Sequence, residues 1–295
     1  VFYLNQNDTL GIYYPELRLA FQNVPLKKDG FPFDVPSDAR LSTFMYENDV
    51  TKILITGGKQ AGTPLATAYE VTFAFEYSDG KTIIKEGTVT EAKPMKYGVH
   101  SHSILWHDVN EQVFLIGGST TQATNANTIM VGFKASDGWR WNSAKELLKP
   151  RLNASTCSTK SYIFVFGGYI KVNSDEIPVP VQEIERFNLT TNKSEILATP
   201  KLAVIPYSIC FPNSNDNPQS IIIFGGGDKK VLLYDIESKK FIPGVDKEKF
   251  SLNGNCMGLK ISDEIVVPLP VDSKKTDILT LMKYNISSAK ISFAQ

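Results

Sequence analysis

Ile163-Phe164-Val165-Phe166-Gly167-Gly168 is a short apolar run, rich in β-branched and aromatic residues, closed by two glycines. A run of this kind reads as a buried strand, and the glycine pair marks a place where the backbone takes a conformation that other residues resist. The pattern recurs. Ile53-Leu54-Ile55-Thr56-Gly57-Gly58, Val113-Phe114-Leu115-Ile116-Gly117-Gly118 and Ile221-Ile222-Ile223-Phe224-Gly225-Gly226 repeat it, with the first glycines 60, 50 and 58 residues apart. Glu264-Ile265-Val266-Val267-Pro268-Leu269-Pro270 keeps the shape without glycines, and Val1-Phe2-Tyr3-Leu4 is a sixth candidate. Self-similarity at a period near 50 residues means stacked units, each unable to bury its faces alone.

Two further elements keep the same order. Downstream of each run an aromatic ends a strand before a turn, at Tyr14-Pro15, Phe75-Glu76, Phe133-Lys134, Phe187-Asn188, Tyr234-Asp235 and Tyr284-Asn285. Phe21 and Phe241 follow two of these by seven positions, and Trp139 and Trp141 straddle that place in a third. Upstream, a basic residue recurs, often close behind a proline, at Ala39-Arg40, Pro94-Met95-Lys96, Pro150-Arg151 and Pro200-Lys201. Taken together the order resembles the kelch repeat, whose unit runs from Pro-Arg through a strand ending in Gly-Gly to Tyr-Asp and a tryptophan. The resemblance covers essentially the whole chain and implies a β-propeller of four-stranded antiparallel blades.

Six aromatic copies predict an all-β, six-bladed kelch-like propeller, a single domain over 1–295 with blades at 1–28, 29–92, 93–149, 150–200, 201–246 and 247–295. The first blade is expected to be incomplete, because nothing precedes Val1 to act as its inner strand, and the native polypeptide is accordingly expected to begin upstream. One short helix is expected over 143–149, with Ser143 as cap and Pro150 as stop.

The composition narrows the function classes. Lysine and arginine number 31, aspartate and glutamate also 31, and the pI is near 7.0, so no excess cation exists to neutralise nucleic acid or an anionic membrane. No apolar stretch approaches the roughly 20 residues of a membrane span. Three cysteines make no disulfide framework in a chain this long.

Little in the sequence carries chemistry. His100, His102 and His107 fall within eight residues, and His100 and His102 would share one face of a strand, a spacing that metal sites use. Kelch units commonly place a histidine and a serine here, as His102-Ser103 does, and no metal or other cofactor is expected. Cys157, Cys210 and Cys256 recur ahead of the glycine runs, where a small buried residue fits. Inner strands of neighbouring blades are expected to splay too far apart for an unstrained disulfide. The chain lacks a nucleophile elbow, a phosphate-binding glycine loop and a zinc pattern, so no catalytic residue is assigned. Galactose oxidase, an enzyme with a fold of this kind, holds copper with tyrosines and with histidines from separate parts of its propeller; here all three histidines fall in one stretch.

Binding is expected on loops. The connections after the glycine pairs are long at 59–68, 119–128 and 169–182, and in a propeller they emerge beside the links between blades. They would build one rim, with Gln60, Thr63, Thr120, Gln122, Asn125, Asn127, Tyr169, Asp175 and Glu176 as contact residues for a protein or glycan partner. The leading expectation is a non-catalytic interaction module. The alternatives are a carbohydrate-active or metal-dependent propeller enzyme centred on His100 and His102, and a structural subunit of a larger filament or complex. Five Asn-X-Ser/Thr sequons, at Asn7, Asn153, Asn188, Asn192 and Asn285, favour a secreted or lumenal glycoprotein, with a cytoplasmic protein as the alternative.

Overall fold

The computed structural model describes residues 2–4, 10–14, 19–21, 24–47, 50–74, 76–78, 81–83, 86–171, 177–198, 209–214, 218–225, 230–243, 259–261, 263–268 and 281–294. Among these, every regular element is a β-strand. No helix is long and apolar enough to cross a membrane.

Among the described residues the fold is an all-β propeller with five four-stranded blades, not six. The blades span 40–91, 103–146, 155–198, 209–243 and 259–294, and each runs from an inner to an outer strand with antiparallel neighbours. In the third, for example, Ser155–Ser158 pairs Tyr162–Phe166, which pairs Ile184–Asn188, which pairs Lys193–Ala198. The first is widened on its outer edge by Leu26–Lys28, parallel to Gly87–Glu91, and by Phe31–Pro32. The sixth aromatic copy misled the count: Tyr14 belongs to a separate three-stranded sheet of Phe2–Leu4, Leu10–Tyr14 and Leu19–Phe21.

The predicted helix over 143–149 is also corrected. Ser143 and Lys145 lie in the outer strand Gly138–Glu146, paired with Met130 and Ile129 across a bulge. Pairing along Thr128–Ala135 outweighs the local serine and proline signals, and Leu147 turns inward to 2% exposure beyond the strand end.

The repeat has a physical basis at two places. The first is the glycine pair: Gly57 and Gly58, Gly117 and Gly118, and Gly167 and Gly168 all have positive φ. A Cβ on Gly57 would stand 2.1 Å from the Val99 carbonyl oxygen, and one on Gly117 would stand 2.3 Å from that of Arg151. Side chains are excluded there because the link to the next blade crosses the strand end, where Gly58 N–H donates to Val99 O and Gly118 N–H to Arg151 O.

The second is the aromatic and the Asx residue after it. Phe187 and Tyr234 are fully buried between blades, while the following Asn188 and Asp235 turn the chain by accepting from Thr191 N–H at 2.8 Å and Ser238 N–H at 2.7 Å. Asn285 accepts from Ser288 N–H in the same way. Four residues after each Asx, at Asn192, Lys239 and Ala289, φ is again positive.

Apolar side chains fill the wedges between neighbours. Leu54 joins Val113, Leu115, Met130 and Trp139 across the first wedge. Phe114, Ile116 and Val131 meet Ile163, Val165 and Phe187 across the second. In the third, Phe166 meets Tyr234 edge-on at 5.7 Å, and in the fourth Phe224 meets Tyr284 at 5.5 Å. The deepest charge is paired: the Arg151 guanidinium, fully buried, meets Glu185 and also donates to Gly167 O at 2.9 Å and Glu183 O at 3.1 Å.

Candidate functional site at the propeller mouth

The inner strands of the first three blades start at Arg40, Ser103 and Ser155. Two residues ahead of each start stands a non-glycine residue with positive φ: Asp38 at 58°, Ser101 at 54° and Asn153 at 49°. Position and backbone repeat together, so three blades bring one polar side chain each to the same place around the axis. Each is held there by a bridge or strand pair to a loop that follows a glycine pair: Ser37 with Lys59, Val99–His100 with Ser119–Thr120, and Leu152 with Tyr169.

The side chains of this ring touch across blades. Asp38 accepts Lys59 Nζ at 2.6 Å. Arg40 Nη1 donates to Asp38 O at 3.3 Å and Ala39 O at 3.1 Å, while its Nη2 donates to Asn153 Oδ1, two blades away. Asn153 Nδ2 in turn donates to the Tyr169 hydroxyl at 3.2 Å. His100 Nδ1 lies 3.0 Å from Ser101 Oγ and 3.9 Å from Asp38 Oδ2. Lys171 joins through the loop beside it, its N–H donating to Asn125 Oδ1 at 2.9 Å while Asn125 Nδ2 donates to Lys171 O.

The electrostatics follow from that company. Burial opposes ionisation of Asp38, but the Lys59 hydrogen bond and the charges of Lys59 and Arg40 hold its carboxyl below the usual range. Burial lowers the His100 imidazole; Asp38 opposes that shift, and the positive charges of Lys59, Arg40 and Lys171 add to it. Among the described residues of the mouth, Lys59 and Arg40 act on the Asp38 carboxylate, and Lys171 adds its charge at His100.

The histidines do not converge. Ser101, in its left-handed conformation, interrupts the strand between His100 and His102 and sends the two rings to different partners. His102 is fully buried, with Nε2 2.9 Å from Thr56 Oγ1, and burial drives its pKa well below the ordinary value. His107 Nε2 donates to Thr159 O at 2.9 Å while its Nδ1 accepts from Asn110 N–H. Among the described residues no group of three or more histidine, cysteine, aspartate or glutamate side chains could hold a metal.

Of the loop residues predicted to bind, Gln60, Thr63 and Gln122 are exposed. Thr120 is buried and caps its own turn, accepting from Gln122 N–H and Ala123 N–H. Asn125 and Asn127 fasten loops, the latter donating to Leu147 O at 3.0 Å. Asp175, Glu176, Asn7 and Cys256 lie outside the described residues. Asn153 is buried, with both ends of its amide engaged, which is a poor setting for a glycan; Asn192 is exposed at a turn.

Sequence reasoning missed Asp38, Ser101 and Lys171 and misplaced Arg40. Arg40 and Arg151 align as one recurring basic position, yet Arg40 opens an inner strand at the mouth while Arg151 stands two residues ahead of Asn153, buried against Glu185. The signal that would have found the ring is the polar residue two positions before each inner strand.

Residues 150–201, which contain the third blade, match the family model described as Kelch motif. The chain carries a kelch repeat on a β-propeller. A solved structure titled "Structure of YjhT" shares the fold with a TM-score of 0.51 at 14% identity, over 67% of this chain and 65% of that one. The chain spans a little under two thirds of that structure's length. A search of curated proteins returned no match.

Proposed function

We propose that this kelch-type propeller is a non-catalytic interaction module that binds a partner through the mouth of its first three blades, taking an acidic group of the partner at Arg40, Lys59 and Lys171. One observation carries the reading: Arg40 of the first blade, Ser101 of the second and Asn153 of the third meet over one ring, flanked by the exposed tips of the loops at 59–64 and 119–125. Charges gathered from separate strands at a half-buried mouth favour an anion more strongly than the neutral whole chain would.

Fluorescent peptides that differ only in carrying glutamate or glutamine would test this. The glutamate peptides are expected to bind more tightly, to weaken with added salt, and to lose about tenfold in affinity on Lys171→Glu. Binding should strengthen as pH falls, since a bound anion raises the lowered pKa of His100 among Asp38, Lys59, Arg40 and Lys171. Equal binding of the two peptide sets would remove the anionic partner. Undiminished binding after the tips at 60–62 and 121–124 are shortened would remove the rim.

A further inference from the structure

Cys157 and Cys210 occupy corresponding inner strands, Ser155–Ser158 and Ile209–Pro212, of neighbouring blades. Both are free thiols, buried at 7% and 5% exposure in one apolar cluster with Phe164, Phe166, Ile221 and Ile223. They lie on adjacent strands and pack into the same wedge. Neighbouring inner strands are expected to splay too far apart for an unstrained disulfide; here the two cysteines stand at corresponding places on adjacent inner strands and share one apolar wedge. Two thiols that face one wedge from adjacent strands are placed for a disulfide, which needs Cα atoms about 4.4–6.8 Å apart.

We propose that Cys157 and Cys210 are a disulfide site, closed by thiol–disulfide exchange with a small disulfide such as glutathione disulfide, that bands the 155–198 blade to the 209–243 blade. The thiolate of one cysteine attacks a glutathione sulfur, the glutathione S–S bond breaks, and one glutathione leaves as its thiolate. The second cysteine then attacks the mixed disulfide, forms the protein S–S bond and expels the other glutathione. The protein gives up two protons and two electrons, and glutathione disulfide gains them.

Burial, and then the hydrogen bond to Cys210, raise the Cys157 thiol well above its ordinary pKa, so the closed wedge suppresses the attacking thiolate. Exchange is accordingly expected as the wedge opens or before it first closes. The bond would enclose the 157–210 stretch and restrict the unfolded chain, which raises stability.

The test uses the whole chain in a buffer of reduced and oxidised glutathione, with urea just below the unfolding midpoint so that the wedge opens transiently. After free thiols are alkylated, digestion and mass spectrometry read the pairing. The expected product is a Cys157–Cys210 cross-linked peptide with Cys256 alkylated, unchanged in Cys256→Ser and lost on reduction. The cross-linked chain should unfold at a higher urea concentration than the reduced one. Alkylated Cys157 and Cys210, a bond from either to Cys256, glutathione mixed disulfides alone, or an unraised midpoint would each overturn the proposal.

Discussion

The mouth of the propeller and the wedge between its 155–198 and 209–243 blades are served by the same kind of inner strand, yet they dispose of polarity in opposite ways. At the mouth, left-handed residues and blade links turn Asp38, Ser101 and Asn153 toward one another, and hydrogen bonds within each blade are joined by the Arg40–Asn153 and Asn125–Lys171 bonds from one blade to another. In the wedge, Phe164, Phe166, Ile221, Ile223 and Tyr234 exclude water, and the Tyr234 hydroxyl has no hydrogen-bond partner among the described residues. Apolar burial is concentrated in the wedge, where water is absent, and paired polar atoms at the mouth.

The sharpest way to break that contrast is Phe166→Ala. The ring is fully buried and packs on Tyr234, so the cavity should cost roughly 3–5 kcal/mol, read as a fall in the urea midpoint. Binding by the surviving folded chain should be little changed, because the ring packs into the apolar wedge with Ile184, Ile221 and Tyr234.

A smaller effect is expected from acid. His102 stays neutral in the folded protein because burial, with Arg40 and His100 nearby, pushes its pKa well below 6.5. Unfolding restores the ordinary value, so below about pH 6.5 the unfolded chain takes up a proton that the folded chain refuses. Stability is then complete above that pH and falls progressively beneath it. Urea midpoints measured between pH 7 and 5 should show the slope, and His102→Gln should flatten it. An unchanged slope in the variant would assign the loss to other groups.

The smallest change is expected at Tyr234→Phe. Burial raises the phenol to about 12, and its hydroxyl is carried into the wedge unpaired. Removing that oxygen should leave stability within about 1 kcal/mol of the parent, on the stabilising side. A clear loss would show that the hydroxyl has a partner and that the wedge is less apolar than its lining.

The propeller was largely legible in the sequence because its repeated parts answer local demands. Glycine pairs mark strand ends that no side chain can occupy, and Tyr234-Asp235 joins a wedge-filling ring to a turn-forming carboxylate. Counting by aromatics failed at Tyr14, since a strand-ending aromatic fits a three-stranded sheet as well as a blade. The helix expected at 143–149 failed because cap and stop signals act over a few residues, while the pairing of Gly138–Glu146 is set by its partner strand. Least legible was the mouth. The Arg40 to Asn153 bond joins residues 113 positions apart, and no local pattern announces it. Asp29 and Gly30, both at positive φ, tie Leu26–Lys28 to Phe31–Pro32, a two-residue hairpin that the Asp-Gly pair could have revealed.

The left-handed positions at Asp38, Ser101 and Asn153 have one more consequence. Aspartate and asparagine are among the side chains that this backbone accepts most readily, and one is acidic while the other is neutral. Exchanging them alters the character of the mouth while the frame beneath stays the same. Each of these three blades thus offers one interchangeable letter in a short polar word, and a propeller of this kind can acquire a new partner by respelling it.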